Sequence, residues 1–385
     1  MIKIESILKR CLRRNKINEL NTLQKNTLES ILDRKNTLIL SQTGTGKTLS
    51  FVIPLLTLYI KNNSSKFLII SPTRELSLQI QKVINMFKSL DLKMTVLIGG
   101  YKYDEQVKEL STNSRIIIGT LGRLKEHYER GWIFNDVEMI VLDEVDKLLE
   151  NNFKSDLDYV LSNFNPETQI VCATATYSNV VSEFLKDKKI NTIKMIDFNA
   201  VPSVITHKLI FVPQKYKEAG LYELIKRFTD KKVLVFFSSC HKVKLFKRLF
   251  DLLNLNITEI YGEMDQKERK AALEEYRKTG KIFSTDLLAR GIDFDVDVVV
   301  HYDMPNKPCV YVHRSGRTGR NGKDGMVYNI VTQYEINKIL NYEEELNIKV
   351  IKDEIDLEKL SDKREEIENH KYTTKIELKE KESEL

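Results

Sequence analysis

Between Thr37 and Thr332, short apolar runs rich in β-branched residues alternate with longer stretches in which apolar residues recur at helical spacing. The first series reads LIL before Ser41, FLII before Ser71, RIIIGT around Ile117, MIVLD ending at Asp143 and QIVCATAT ending at Thr176. A second series follows: VLVFF before Ser238, ITEIY before Gly262, IFST before Asp286, VDVVVHY before Asp303 and MVYNIVT ending at Thr332. Strands that read as unbroken apolar runs are buried on both faces, so the pattern predicts an α/β chain of two similar modules. Each is a mainly parallel sheet with helices on both faces. DFNAVPSVIT, residues 197–206, lacks a helical period and contains Pro202. It is placed as a linker between a first domain at 1–196 and a second at 207–345. Beyond Glu345 the chain is almost wholly charged, as in EIDLEKLSDKREEIENHKY, and residues 346–385 are expected to form a solvated helical or partly disordered tail.

Composition narrows the classes. With 385 residues and 42% hydrophobic content the chain exceeds one comfortable core, in keeping with two domains. Lys and Arg number 61 against 55 Asp and Glu, a net charge of +6. From Lys352 onward there are 8 basic and 12 acidic residues, so the tail carries −4 and the body +10. A basic body suits a polyanionic partner. Cys11, Cys172, Cys240 and Cys309 form no C-x-x-C pair, which argues against a structural zinc or a disulfide framework and for a reducing compartment. No stretch approaches the roughly 20 apolar residues that span a bilayer, so no membrane association and an intracellular, soluble protein are expected. The N-terminus MIKIESILKRCLRR carries Glu5 as its only acid, and an organellar leader is the alternative reading there.

Candidate chemistry begins with SQTGTGKT, Ser41 to Thr48, between an apolar run and a helical stretch. Gly44 and Gly46 let backbone N–H groups turn toward phosphate at a helix N-terminus, Lys47 neutralises charge, and Thr48 offers a hydroxyl to magnesium. Ser41 stands where the general phosphate-loop pattern has its first glycine. MIVL then runs into Asp143, Glu144, Val145 and Asp146, placing adjacent carboxylates at a strand end expected beside the phosphate loop's strand. One could hold magnesium and the next orient water. HRSGRTGR, His313 to Arg320, supplies arginines at spacing three for a phosphoryl transition state. Because they lie in the second domain, turnover is expected to require domain closure.

With these residues in place, the sequence resembles the DEAD-box RNA helicases of superfamily 2 over roughly residues 20 to 335. The ordered motifs are SQTGTGKT, PTREL at 72–76, Gly99-Gly100, TLGR at 120–123, DEVD at 143–146, TAT at 174–176, VFFS from Val235, YG at 261–262, Gln266 with Arg269, STDLLARGID at 284–293 and HRSGRTGR. The resemblance implies two tandem RecA-like domains and ATP and Mg²⁺ as nucleotide and metal. Gln24, Thr43, Gly44, Thr45, Gly46, Lys47, Thr48 and Asp293 would bind nucleotide, and Thr48 with Asp143 would hold the metal, Asp143 through water. Glu144 would act as base, Arg317 and Arg320 as arginine fingers, and Asp146, Thr174, Thr176 and His313 as the link between hydrolysis and closure. RNA would be held through its backbone by Thr73, Arg74, Gly100, Thr120 and Arg123 in the first domain and by Gln266, Arg269 and Thr285 in the second, without sequence preference.

The departures are DEVD for DEAD, TAT for SAT and TLGR for TPGR, where Leu121 removes a proline that fixes φ. In LNTLQ, Gln24 stands at the adenine-recognition position, but no aromatic residue precedes Phe51, leaving an aliphatic such as Ile7 in place of the usual ring. VLVFFSSC, ISPTREL and RGIDF look most like nucleolar members that act in ribosome assembly. The implied role is a monomeric RNA helicase in ribosome biogenesis and rRNA processing, nuclear or nucleolar, working with pre-ribosomal particles or protein cofactors. The alternatives are an mRNA-directed helicase, a DNA-remodelling ATPase, and an RNA clamp with little turnover.

Overall fold

The apolar runs of each half pair into a seven-stranded parallel sheet. The computed structural model describes residues 6–42, 45–132, 136–194, 201–289, 295–320 and 323–383, which divide into one compact unit up to residue 200 and another from residue 201. The first unit holds β1 (Thr37–Leu40), β2 (Lys66–Ile70), β3 (Met94–Leu97), β4 (Ile116–Gly119), β5 (Val137–Asp143), β6 (Gln169–Thr174) and β7 (Asn191–Lys194), in the spatial order β3-β4-β2-β5-β6-β1-β7. The second holds β8 (Ile205–Phe211), β9 (Val233–Phe236), β10 (Thr258–Ile260), β11 (Lys281–Ser284), β12 (Val298–His301), β13 (Gly325–Val331) and β14 (Val350–Asp353), ordered β10-β11-β9-β12-β13-β8-β14. Position for position, the two orders are the same.

Successive strand residues point to opposite faces, and here both faces are buried. On one side of the first sheet Ile39, Phe67, Ile69, Ile116, Met139 and Val141 pack with Phe51, Leu55, Ile80 and Ile84 of the covering helices. On the other, Leu38, Leu68, Ile70, Ile117, Ile140 and Leu142 pack with Leu124, Leu148, Leu157 and Val160. Helix Ser6–Arg14 joins the first face through Leu8, Cys11 and Leu12, spaced at i, i+3 and i+4, which leaves Lys9, Arg10, Arg13 and Arg14 exposed.

Four strands fall outside the runs read from the sequence: β3, β7, β8 and β14. Three of them are sheet edges and β8 lies next to one. An edge strand has a solvated side, so β7 and β14 mix half-buried and exposed positions and show no apolar run. The linker boundary shifts for the same reason, since Ile205 and Thr206 already pair with Gly325 and Met326 as the start of β8. Residues 197–200 lie outside the described residues.

The region expected as a tail is built into the second unit. Asp353 at the end of β14 accepts from Lys208 Nζ at 3.2 Å, Arg227 Nη1 at 3.1 Å and Tyr328 Oη at 3.1 Å; its burial pushes the carboxyl up, but Lys208, Tyr328 and the Glu354 N–H outweigh this and hold it below the ordinary value. Helix Leu357–Ser383 then packs Leu360 and Ile367 into the core, while Lys371 pairs with Glu218. Its polar sequence hides the two apolar anchors. No helix among the described residues is long and apolar enough to cross a membrane.

A buried polar cluster lies beneath β8, β12 and β13. Tyr311 Oη meets His207 Nδ1 at 2.8 Å, His301 Nδ1 meets Asn329 Oδ1 at 2.9 Å, and Asn329 Nδ2 donates to Tyr311 Oη at 3.3 Å. Burial pushes His207 down to about 4, and burial followed by the Arg314 charge drives His301 well below its usual range. For a base with a depressed folded pKa, the unfolded chain takes up protons first. Stability is therefore complete above about pH 6.5 and declines as pH falls toward 4. At about 1.4 kcal/mol per tenfold change in proton affinity, His207 alone accounts for ~3 kcal/mol by pH 4. Urea titrations should show the midpoint falling between pH 7 and pH 5, with a shallower fall in His207→Phe. An unchanged slope in that variant would rule out His207 as a source.

Candidate nucleotide and nucleic-acid site

The expected first-unit residues collect at the carboxyl ends of the strands, where an open α/β sheet binds ligands. β6 lies between β1 and β5, with Leu40 beside Thr174 and Asp143 beside Ala173. This corrects the expectation that the acidic strand adjoins the phosphate loop's strand. One strand intervenes, and its end carries the TAT threonines.

Ser41 N extends the β1–β6 ladder to the Thr174 carbonyl at 3.1 Å, and the chain then turns into helix Lys47–Lys61. Gly46 caps that helix with φ +83°, a left-handed conformation that disfavours any residue with a Cβ, and as a glycine it brings no side-chain cap of its own. The N–H groups at this end carry the positive end of the helix dipole and suit an anion, with Lys47 and Thr48 as the first two helical residues. Thr45 Oγ1 bonds to the Gln42 carbonyl at 2.9 Å and pairs closely with Ser41 Oγ, so Ser41 braces the loop from within. Thr43, Gly44 and Asp293 lie outside the described residues.

Gln24 sits at the start of helix Thr22–Leu32 in a reciprocal capping box with Asn21, and both side chains reach the phosphate loop. Asn21 Nδ2 donates to the Thr45 carbonyl at 3.0 Å and Gln24 Nε2 to the Gly46 carbonyl at 3.3 Å. A Cβ on Gly46 would lie 2.6 Å from Gln24 Nε2, so the glycine also makes room for this contact. Asn21 was missed in the sequence, although the N-x-x-Q spacing of a capping box announces it. Ile7 is half-buried on the N-terminal helix.

In DEVD, Asp143 ends β5 and is 4% exposed. Burial pushes its carboxyl up to about 6 against the lowering effects of Lys47 and of the Glu144 N–H, which donates to Asp143 Oδ1 at 3.0 Å. A buried carboxylate held partly protonated by desolvation is one that a cation would restore. Glu144 has a left-handed φ of +51° and is 8% exposed, and its Oε2 has no hydrogen-bond partner. Asp146 accepts from Thr174 Oγ1 at 3.0 Å and Thr176 Oγ1 at 2.9 Å, so the ends of β5 and β6 are tied through two hydroxyls.

The expected RNA residues of this unit follow β2, β3 and β4, the neighbouring strands of the same sheet. Thr73 caps helix Arg74–Asn85, its Oγ1 accepting from Leu76 N at 3.2 Å. The Arg74 guanidinium lies against the glycine pair, where a Cβ on Gly99 would come within 2.6 Å of Nη2 and one on Gly100 within 3.1 Å of Nη1. Thr120 precedes helix Leu121–Glu129, and Leu121 is buried, so the residue in proline's place anchors the turn in the core. Arg123 pairs with Glu126 at 3.2 Å and reaches the Tyr101 carbonyl at 3.4 Å, and Tyr101 itself is half exposed beside Gly100.

The second unit repeats the placement. Gln266 opens helix Gln266–Thr279 after β10, and Thr285 follows β11. Arg269 is nearly buried and donates from Nη2 to the Gly262 carbonyl at 2.7 Å. His313 is buried in helix Pro308–Ser315. Arg317 Nε donates to the His313 carbonyl at 3.3 Å and Arg320 Nε to the Gly316 carbonyl at 3.0 Å. Their loop is pinned at its base: a Cβ on Gly319 would lie 2.5 Å from Ile205 Cγ1, and one on Gly325 would lie 2.5 Å from Gly319 N. Arg314, the first of the three evenly spaced arginines, is buried on Asp286 at 2.5 Å and on the Asp303 carbonyl at 2.7 Å, so it braces β11 against β12. Sequence spacing alone did not separate it from the other two.

Residues 21–184 match the family model for the DEAD/DEAH box helicase, and residues 216–322 match that for the helicase conserved C-terminal domain. The chain is similar to the ATP-dependent rRNA helicase RRP3 of Encephalitozoon cuniculi, with 33% identity over 348 residues, 88% of this chain and 86% of that protein. It is 29% identical to the ATP-dependent RNA helicase DDX47 of Drosophila melanogaster over 93% of this chain and 72% of that one. Among solved structures, S. cerevisiae Dbp5 bound to RNA and ADP BeF3 shares the fold at a TM-score of 0.83 and 22% identity, covering 95% of this chain and 97% of that one.

Proposed function

The chain belongs to the DEAD/DEAH box helicase family, as an ATP-hydrolysing RNA helicase, and from that premise we propose that it remodels pre-ribosomal RNA during ribosome assembly. The supporting observation is the 33% identity, over 88% of the chain, to a relative named as an rRNA helicase. In this reading it is a monomer of the nucleus or nucleolus that engages pre-ribosomal particles or their protein cofactors.

ATP phosphates lie on the N-terminus of helix Lys47–Lys61, held by the backbone of Thr43 to Gly46, by Lys47 and by Thr48. Gln24 presents its amide to adenine while bracing Gly46, and Asp293 contacts the nucleotide. Magnesium fits the residues present, because a hard cation bound to phosphates needs only one or two protein carboxylates, and Asp143 with the Thr48 hydroxyl meets that need. When bound, it neutralises charge on the transferring phosphate. Glu144, with an unpartnered carboxylate oxygen at a strand end, takes the proton of the attacking water. Arg317 and Arg320 neutralise charge that develops in the transition state. Asp146, Thr174, Thr176 and His313 couple hydrolysis to release. Thr73, Arg74, Gly100, Thr120, Arg123, Gln266, Arg269 and Thr285 grip the sugar-phosphate backbone, giving binding without base readout.

Crosslinking of the chain to RNA in cells, followed by sequencing of the bound fragments, tests the substrate. Pre-rRNA should dominate, and ATPase activity of the purified chain should rise with RNA and not with DNA of the same sequence. Enrichment of mRNA would overturn the ribosomal assignment.

A further inference from the structure

We propose that the first unit carries a second RNA-phosphate site, a basic groove formed where the N-terminal helix meets the far end of helix Arg74–Asn85, away from the carboxyl edge of the sheet. This rests on the helicase reading and extends it to a surface outside that edge.

Cys11 Sγ meets Ser89 Oγ at 3.1 Å and Asn15 Nδ2 donates to the Met86 carbonyl at 3.5 Å, so the N-terminal helix is fixed over the end of helix Arg74–Asn85 and the turn after it. Between them runs an open groove of about 760 Å³ whose polar lining comprises Arg14, Asn15, Lys82, Asn85, Lys88 and Ser89. Among the described residues no carboxylate lines it. Arg14, Lys82 and Lys88 are all exposed and, among the described residues, none enters an ion pair, whereas helices such as Leu121–Glu129 and Asn151–Leu161 place Glu or Asp beside their cations. The adjacent opening of about 500 Å³ along the same N-terminal helix mixes Lys9, Arg13 and Lys25 with Glu19 and Glu29, so the unmixed cationic lining is confined to the groove.

Three unneutralised cations around a groove floored by amides and a hydroxyl repel one another until an anion with several charges fills it. Phosphate oxygens accept from each of those groups, and a nucleic-acid backbone presents its charges in a row. Placement favours RNA over another polyanion. Lys82 stands eight residues after Arg74 on one helix, a rise of about 12 Å, so RNA flanking the strand gripped at Arg74 can reach the groove along that helix. The absence of exposed aromatic side chains in its lining makes it a phosphate reader without base stacking.

The test compares wild type with the charge-reversed Arg14→Glu/Lys82→Glu/Lys88→Glu triple variant, on a short single strand that fills only the carboxyl edge and on a longer RNA with a flanking duplex. For the long RNA, the slope of log affinity against log salt should fall by about 2 to 3, since each phosphate contact contributes roughly 0.7–0.9, and low-salt affinity should drop at least tenfold. Short-strand affinity and ATP turnover stay at wild-type values. Equal slopes for both proteins on the long RNA would overturn the groove. Loss of RNA-stimulated turnover in wild type would instead overturn the helicase reading. Should charge reversal impair folding, Lys82→Gln/Lys88→Gln reads the same slope, with an expected fall of about 1.5.

Discussion

Glu144→Gln is expected to lower ATP turnover by roughly 10²- to 10⁴-fold, the usual worth of a positioned general base, while ATP binding is retained. The substitution keeps the volume and shape of the side chain, so the left-handed turn at Glu144 and the bond from its N–H to Asp143 persist. Only the proton acceptor is lost. Phosphate release at saturating RNA and ATP measures kcat, and equilibrium binding of a fluorescent nucleotide measures the ground state. A variant that turns over within tenfold of wild type would remove Glu144 from the base role.

Arg317→Ala should be at least as severe, about 10³- to 10⁵-fold in kcat, which is the range for removing an arginine that stabilises a phosphoryl-transfer transition state. Arg317→Lys should recover little, because a single ammonium cannot reproduce the planar fork that Nε fixes on the His313 carbonyl. The side chain is 4% exposed, so a folding defect has to be separated from a chemical one. Thermal unfolding and KM for ATP provide that separation: kcat should collapse while both stay near wild type. If KM rises in proportion and kcat is preserved, Arg317 contributes to ground-state binding only.

Much of this site was legible because its chemistry is local. A phosphate loop needs glycine, lysine and a hydroxyl within one turn, and SQTGTGKT shows them at once. The two-unit α/β construction was legible because strands such as Ile116–Gly119 and Val298–His301 are buried on both faces and leave an unbroken apolar signature. What stayed hidden depends on distant partners. Strand β14 is half polar and is held by Asp353 through Lys208, Arg227 and Tyr328, residues remote in sequence. Arg314 and Arg317 share one motif and one spacing, so spacing alone did not show that Arg314 is a brace, which its packing on Asp286 reveals.

The matching strand orders of the two units bear on how labour is divided between them. A chain made of one architecture twice can keep the phosphate cradle in one copy and place other residues at the same edge of the second. Where β1 leads into the phosphate loop, its counterpart β8 leads into Val212-Pro213-Gln214, which has neither the glycines nor the lysine. Where β5 ends in Asp143-Glu144, β12 is followed by Tyr302-Asp303, and Asp303 is engaged by Lys242 and by the Ser238 N–H. The second copy thus keeps the sheet of the first while the loops at its carboxyl edge carry a different set of residues, among them Gln266 after β10 and Thr285 after β11.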